Sequence, residues 1–167
     1  SVAPMCPWYD RAFGPWYLRL YPHRNREEAA RAVRTIEPWL RRGGGILDVG
    51  CGAGRHLELL DERGFAVTGL DRSADLLPEL AARSRLGGRV VRGDMRRLPF
   101  SPRAFASLLC MFTSFGYFGS RQAHQELLVE FARVTEPGGT LVLDYLNAPV
   151  VESRLVPASE RIIEEHR

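Results

Sequence analysis

The feature that most constrains this sequence is an alternation of short apolar segments with segments of helical periodicity between residues 46 and 146. Strands that alternate with helices form a mostly parallel sheet with helices on both faces. The sequence therefore predicts an α/β fold of the doubly wound type. Apolar runs predict strands at 46–49, 65–70, 89–92, 104–111 and 140–145, and helical spacing predicts helices at 55–63, 73–81 and 122–134.

Two further segments flank this core, which spans residues 45–147. Residues 1–44 are aromatic-rich and then helical, and they predict an N-terminal helical cover whose main helix begins after Asn25 and ends before the glycines at 43–45. Residues 148–167 form a C-terminal tail, which is either a fraying helix or the start of a further strand at 161–164.

Composition narrows the class of protein. A chain of 167 residues is long enough for one domain, and its apolar runs are far shorter than the roughly 20 residues of a membrane-spanning helix. Three cysteines without a C-x-x-C motif are typical of reduced thiols and predict a cytoplasmic protein that binds no metal. The net charge of +3 comes from scattered arginines, which argues against nucleic-acid binding.

The segment Leu47–Arg55 places a G-x-G-x-G turn between the first strand and the first core helix. Glycines allow a ligand to approach the backbone, although they also serve tight packing alone. Asp71 and Asp94 end the second and third strands, where they would face the same crevice. The alternative is that both aspartates cap helices. The combination of the glycine turn with an aspartate at the end of each of the next two strands favours a nucleoside site.

The ligand can be narrowed further. The dinucleotide spacing G-x-G-x-x-G is absent, and no G-K-[ST] motif follows the turn, which excludes a phosphate loop. The carboxylate of Asp48 would repel a pyrophosphate but attract an ammonium group. A ligand with adenosine at one end and an amino acid at the other fits this pattern, and S-adenosylmethionine (SAM) is such a molecule.

These motifs, together with Glu136–Gly139 before the last strand, resemble in order those of the class I SAM-dependent methyltransferases over residues 25–147. The resemblance implies a Rossmann-like methyltransferase fold. It also implies that the methionine end of SAM lies near the glycine turn, the ribose near the second strand end and the adenine near the third. The residues implied to bind SAM are Asp48, Gly50, Cys51, Gly52, Gly54, Asp71, Arg72, Asp94, Met95 and Met111.

A second resemblance concerns residues 110–118, which are similar to the F-[ST]-S-x-G-Y segment of small-molecule methyltransferases, including N-methyltransferases of amino sugars. The hydroxyls of Thr113, Ser114 and Tyr117 are candidates to orient the methyl acceptor, and His23 and His124 are the candidate general bases. Residues 17–24 resemble the helical cover of such enzymes, which implies that Tyr21 and Arg24 contact the cofactor.

The sequence therefore predicts methyl transfer to a nitrogen or oxygen of a small molecule. The alternative from another class is a domain that binds SAM without catalysis, or a partner subunit. Domains of this family continue with an antiparallel pair of strands beyond the fifth. The chain ends soon after that strand, so we expect a truncated domain with an exposed sheet edge, which would allow a homodimer to form.

Overall fold

The computed structural model describes residues 9, 12–14, 16–21 and 24–156. Its sheet has the order β3-β2-β1-β4-β5, and every neighbouring pair is parallel. The order reverses beside β1, so the crevice lies at the carboxyl ends of β1 and β4. The doubly wound α/β prediction is confirmed. The strands are β1 (Gly45–Val49), β2 (Ala66–Asp71), β3 (Val90–Arg92), β4 (Phe105–Cys110) and β5 (Thr135–Leu143).

The helices follow the predicted positions closely. Asn25 accepts a hydrogen bond from the backbone N–H of Glu28 and starts the long helix of the cover, which ends at Ile36 before a 3₁₀ turn that contains Pro38. The helices are α1 (Tyr17–Leu20), α2 (Arg26–Ile36), α3 (Arg55–Glu62), α4 (Leu76–Arg83), α5 (Arg121–Val134) and α6 (Ala148–Glu152), with 3₁₀ turns at Glu37–Trp39, Arg85–Arg89 and Ser114–Tyr117.

The sheet separates two apolar cores. Ile46 packs with residues of α2, α3 and α4 on one face, whereas Leu47 and Val49 pack with α5 on the other. Successive strand residues face opposite sides of a sheet. Asp48 therefore lies on the same face as Ile46, with α3.

The connection from β3 to β4 has no helix, and α5 holds it instead. Glu130 accepts a hydrogen bond from the N–H of Leu98, while Arg133 donates to the carbonyl oxygens of Leu98 and Phe100 at 3.0 and 2.8 Å. These bonds satisfy backbone groups that a helix would have paired internally.

Strand β5 begins earlier than the sequence predicts. It starts at Thr135, directly after α5, and the register against β4 shifts between Phe105 and Ser107. The Pro-Gly-Gly segment therefore forms an irregularity within the strand rather than a loop before it. Gly138 has a φ of 71°, and a Cβ at Gly139 would approach the carbonyl oxygen of Ala106 to 2.9 Å, so glycine is needed where the strand rejoins the sheet.

The C-terminal tail contains α6, which agrees with the helical alternative for its first part. The strand considered at 161–164 lies outside the described residues. Of the helices in the described ranges, none combines the length and the apolar character needed to traverse a bilayer.

Candidate cofactor and methyl-transfer site

The glycine turn after β1 adopts a backbone that side chains disfavour. Gly50, Gly52 and Gly54 all have positive φ values, of 76°, 54° and 75°. The N–H groups of Gly50 and Cys51 donate to the carbonyl oxygen of Leu70 at 2.7 and 3.1 Å, which ties the turn to β2. A Cβ at Gly50 would lie 2.9 Å from Oγ of Ser114, so the turn and the segment after β4 approach each other closely.

Asp71 ends β2 and orders the same turn. One of its carboxylate oxygens accepts from the N–H of Gly52 and the other from the N–H of Ser73, both at 2.7 Å. Ser73, rather than the aspartate, bonds the start of α4, because its hydroxyl accepts from the N–H of Leu76 at 3.1 Å. The carboxylate is thus held rigidly at the cavity wall.

Asp94 follows β3 and lies between two arginines. Its carboxylate accepts from Arg72 at 2.9 Å and from Arg96 at 2.6 Å, and the bonds to Arg96 are the first cause of the lowered pKa of Asp94. Asp94, Met95 and Arg72 line the cavity. No helix begins at Asp94, so it is not a helix cap.

Asp48 lies behind the turn rather than on the cavity wall. It is 1% exposed, and neither carboxylate oxygen has a hydrogen-bond partner among the described residues. The pKa of Asp48 is raised to about 7, chiefly by burial and secondly by the charge of Asp71, while Arg55 opposes both effects. A buried carboxylate without a partner fits the ammonium group of SAM.

The cavity that joins these groups has a volume of about 680 Å³ and opens at the carboxyl ends of β1, β2 and β4. The predicted cofactor residues on its wall are Arg24, Gly50, Cys51, Gly52, Asp71, Arg72, Asp94, Met95 and Met111.

Besides Asp48, two predicted cofactor residues lie outside the cavity wall. Gly54 caps α3, and a Cβ there would lie 2.5 Å from Leu80, so packing against α4 accounts for this glycine. Tyr21 is 42% exposed and packs on Tyr17 at 5.1 Å between ring centroids.

The segment after β4 forms the other end of the cavity. Phe112 and Thr113 have φ values of 56° and 61°, and Asp144 accepts hydrogen bonds from both of their N–H groups. Tyr117 lines the cavity, whereas Thr113 lies behind it. Burial raises the pKa of Tyr117, and hydrogen bonds with Thr113 and Ser114 partly offset this effect.

Aromatic rings of the cover close this end. Phe13 packs on Tyr117 at 5.5 Å, Tyr9 stacks on the same ring at 6.3 Å, and the hydroxyl of Ser73 donates to the carbonyl oxygen of Phe13. His23 lies outside the described residues. His124 packs on Phe115 at 5.0 Å and is not part of the cavity wall.

A cluster beside the glycine turn joins Arg24 to four residues without a predicted role, Glu28, Arg55, His56 and Phe112. The guanidinium groups of Arg24 and Arg55 lie 4.1 and 3.9 Å from the ring centre of Phe112, and Glu28 accepts from both at 3.0 and 2.8 Å. His56 stacks on the same ring. Arg55 and His56 directly follow the glycine turn, and this position was the sequence signal that could have suggested a role in the site. The contact between Arg55 and Glu28 could not be predicted, because the two residues are 27 positions apart.

The described cysteines are not paired with each other, and no metal site is found among the described residues. Cys51 and Cys110 are free and buried, and burial raises the pKa of both. Among the described residues, no group of three or more His, Cys, Asp or Glu side chains is arranged to hold a metal ion.

Comparison with known proteins matches residues 46–139 to the family described as "Methyltransferase domain". A dTDP-3-amino-3,6-dideoxy-alpha-D-glucopyranose N,N-dimethyltransferase of Streptomyces fradiae is 34% identical over 122 residues, which cover 73% of this chain and 46% of that protein. A dTDP-3-amino-3,4,6-trideoxy-alpha-D-glucopyranose N,N-dimethyltransferase of Streptomyces venezuelae is 33% identical over 135 residues, 77% of this chain and 54% of that protein.

Among solved structures, a SAM-bound amino pentose methyltransferase from Micromonospora echinaspora superposes with a TM-score of 0.63 at 28% identity, covering 87% of this chain and 59% of that one. The chain spans about half the length of the curated relatives that it matches. Because the family match includes the glycine turn and the ends of all the central strands, and takes in more than half of the residues, the chain belongs to the class I SAM-dependent methyltransferases.

Proposed function

We propose that this chain transfers a methyl group from SAM to a nitrogen of a small-molecule acceptor, and that the acceptor is an amino sugar linked to a nucleotide. The observation that carries the proposal is the single cavity that runs from the glycine turn and Asp71 to Tyr117. Its volume of about 680 Å³ is typical of small-molecule sites. A cofactor subsite and an acceptor subsite within one cavity are what methyl transfer requires.

The adenosine end of SAM would lie between β2 and β3. Asp71 is fixed by two backbone N–H groups, and a carboxylate has further lone pairs that can accept from two ribose hydroxyls. Arg72 would support the ribose side. Asp94 would accept from the adenine amino group, and Met95 would pack against the ring.

The methionine end would lie along the glycine turn. Gly50, Cys51 and Gly52 allow the ligand to approach the backbone, and Asp48 would stabilise the ammonium group from behind the turn. Met111 and Arg24 on the cavity wall would add further contacts. Cofactor contacts of Gly54 and Tyr21, which lie beside the cavity, stay predictions.

When bound, SAM supplies an electrophilic methyl group on a sulfonium. The residues of this chain must align the acceptor at about 3 Å from that methyl and exclude water. The rings of Phe13 and Tyr9 over Tyr117 cover the cavity. Because burial raises the pKa of Tyr117, its hydroxyl stays protonated and can orient an amine, with Thr113 as a positioning residue.

Two observations support an amino-sugar acceptor. Two curated relatives act on dTDP-linked amino sugars by name. Arg26, which pairs with Glu62, and Arg92 are exposed residues of the cavity wall, and guanidinium groups are well suited to bind a diphosphate. A neutral amine needs no strong general base.

Calorimetry with SAM, S-adenosylhomocysteine and NAD tests the cofactor, and transfer of a labelled methyl group to a panel of amines and nucleotide-linked amino sugars tests the reaction. We expect binding of the first two ligands and transfer to an amino sugar. Binding of NAD alone would contradict the proposal. Binding of SAM without transfer to any acceptor would favour a non-catalytic cofactor-binding domain.

Asp71→Ala tests the ribose assignment. We expect it to weaken binding of S-adenosylhomocysteine by about 1–3 kcal/mol, the usual scale for donors that lose a buried partner. Asp75→Ala is a matched control, because Asp75 also lines the cavity and has no predicted role toward the cofactor. Unchanged affinity of the Asp71 variant would place the ribose elsewhere.

Other predicted properties concern assembly and location. Strand β5 is at one edge of the described sheet, and Leu141 and Leu143 on it are 41% and 38% exposed, which supports pairing with a second copy. A single monomer mass in light scattering at micromolar concentration would contradict this prediction. The cytoplasmic location and the lack of nucleic-acid binding also stay predictions.

A further inference from the structure

Three side chains around the cavity have buried polar atoms without a hydrogen-bond partner among the described residues: the carboxylate of Asp48, Nε of Arg24 and Nε2 of His56. The first two are already assigned to the cofactor. His56 is 3% exposed and lines the cavity, and no role has been given to it. A buried polar atom without a partner destabilises the protein unless a ligand satisfies it.

The position of His56 is fixed by its neighbours. It is the second residue of α3, directly after the glycine turn, and its ring stacks on Phe112 with 5.3 Å between centroids and 21° between planes. Phe112 itself is held by the hydrogen bond that its N–H donates to the carboxylate of Asp144 at 3.1 Å. The imidazole therefore has little freedom to turn away from the cavity.

The surroundings of His56 keep its imidazole neutral, and the nearby arginines attract an anion. The pKa of His56 is lowered to about 3, chiefly by burial and then by Arg55 and Arg24, so the imidazole carries no charge near neutral pH. A neutral imidazole has one N–H donor. The two arginines, which share Glu28, make this corner attractive to a carboxylate.

We propose that His56 binds the cofactor, with its Nε2–H donating a hydrogen bond to the carboxylate at the amino-acid end of SAM, beside Arg24. This inference rests on the proposed function. In this arrangement the two charged groups of the amino-acid end bind different residues. His56 and Arg24 would lie beside the carboxylate, and Asp48 would accept from the ammonium group. A neutral donor also adds no third positive charge next to the ammonium group.

A pair of ligands that differ only at the amino-acid end tests the proposal. S-adenosylhomocysteine carries the carboxylate, whereas 5′-methylthioadenosine lacks the whole amino-acid end. His56→Phe keeps an aromatic ring against Phe112 and removes the donor. We expect calorimetry to show about 10-fold weaker binding of S-adenosylhomocysteine, with 5′-methylthioadenosine affected by about twofold or less.

Two further variants sharpen the result. His56→Gln keeps an N–H donor, so we expect it to lose less affinity for S-adenosylhomocysteine than His56→Phe does. His124→Phe is the matched control, because His124 also packs on a phenylalanine ring but lies outside the cavity. We expect it to change neither affinity.

The outcomes are distinct. Equal loss of both ligands in His56→Phe, or no loss of either, would overturn the role of His56. If the unaltered protein binds neither ligand, the proposed function itself fails, and this result is read before any variant is compared.

Discussion

At the scale of single residues, Asp48 is a buried group whose charge state changes near neutral pH. Burial is the main reason that its pKa is raised to about 7, and Asp71 adds to the effect while Arg55 opposes it. The two buried thiols, Cys51 and Cys110, do not titrate in this range. Burial raises the pKa of Cys51 well above its ordinary value and that of Cys110 to about 12, and Asp48 contributes to both shifts.

This shift predicts a pH dependence of stability. In the unfolded chain an aspartate ionises near pH 4, so between about pH 4 and 7 the folded state binds more protons. The ligand-free protein should therefore lose stability as the pH rises through this window and change little above it. Asp48→Asn should reduce the difference in unfolding free energy between pH 5 and pH 8 by roughly 3 kcal/mol.

Chemical unfolding at the two pH values measures this effect, with Asp61→Asn as a control because Asp61 pairs with Arg89 at the surface, away from the cavity. The same Asp48 variant should bind S-adenosylhomocysteine more weakly, since it cannot provide a negative charge for the ammonium group. An identical pH profile in the variant would contradict the assigned titration.

Gly50 and Gly64 separate backbone strain from crowding. Both have left-handed φ values, of 76° and 81°, but a Cβ at Gly64 meets nothing within 4 Å whereas one at Gly50 meets Ser114. Gly64→Ala should cost about 1–2 kcal/mol of unfolding free energy from strain alone and leave cofactor affinity unchanged. Gly50→Ala should cost more and weaken S-adenosylhomocysteine binding. Equal effects of the two variants in thermal unfolding and calorimetry would contradict the close approach of turn and Ser114.

At the scale of elements, Glu28 connects three parts of the chain. It belongs to α2 and bridges Arg24 of the cover to Arg55 at the start of α3, with side-chain exposures between 18% and 29%. Such partly buried pairs depend on their shared partner, because its removal leaves two guanidinium groups close together. Glu28 thereby holds the cover against the helix that follows the glycine turn.

Glu28→Gln should lower the unfolding free energy by about 1–2 kcal/mol and weaken binding of S-adenosylhomocysteine. Glu27→Gln is the control, since its pair with Arg31 is exposed and contributes about 0.5 kcal/mol or less. Denaturation and calorimetry on both variants check the prediction. A cost as small for Glu28 as for Glu27 would show that the bridge does not hold the cover.

The same scale shows what the sequence could predict. Strand and helix positions were predictable because apolar periodicity reports burial directly, as in β1 and α5. The start of β5 was not predictable. The Pro-Gly-Gly segment is a turn signal in the sequence, but in the structure it lies within β5, where the register against β4 shifts beside Phe105. Likewise, the bonds from Arg133 to the connection before β4 depend on contacts 33 and 35 residues apart.

At the scale of the whole molecule, the convergence of Gly50, Asp71 and Asp94 on one cavity was predictable, because parallel strands end at the same edge of a sheet. Contacts between distant segments were not. Neither the left-handed backbone at Phe112 nor the stacking of His56 on its ring leaves a pattern in a single sequence. The finer parts of the site therefore required the three-dimensional arrangement.

A crystal structure of the protein grown with S-adenosylhomocysteine tests the central claim most directly. The account predicts ribose hydroxyls within hydrogen-bond distance of Asp71, adenine beside Met95 and the amino-acid end over Gly50–Gly52. A ligand bound away from the carboxyl ends of β1 and β2, or seated there with its adenosine on the side of Tyr117, would contradict it.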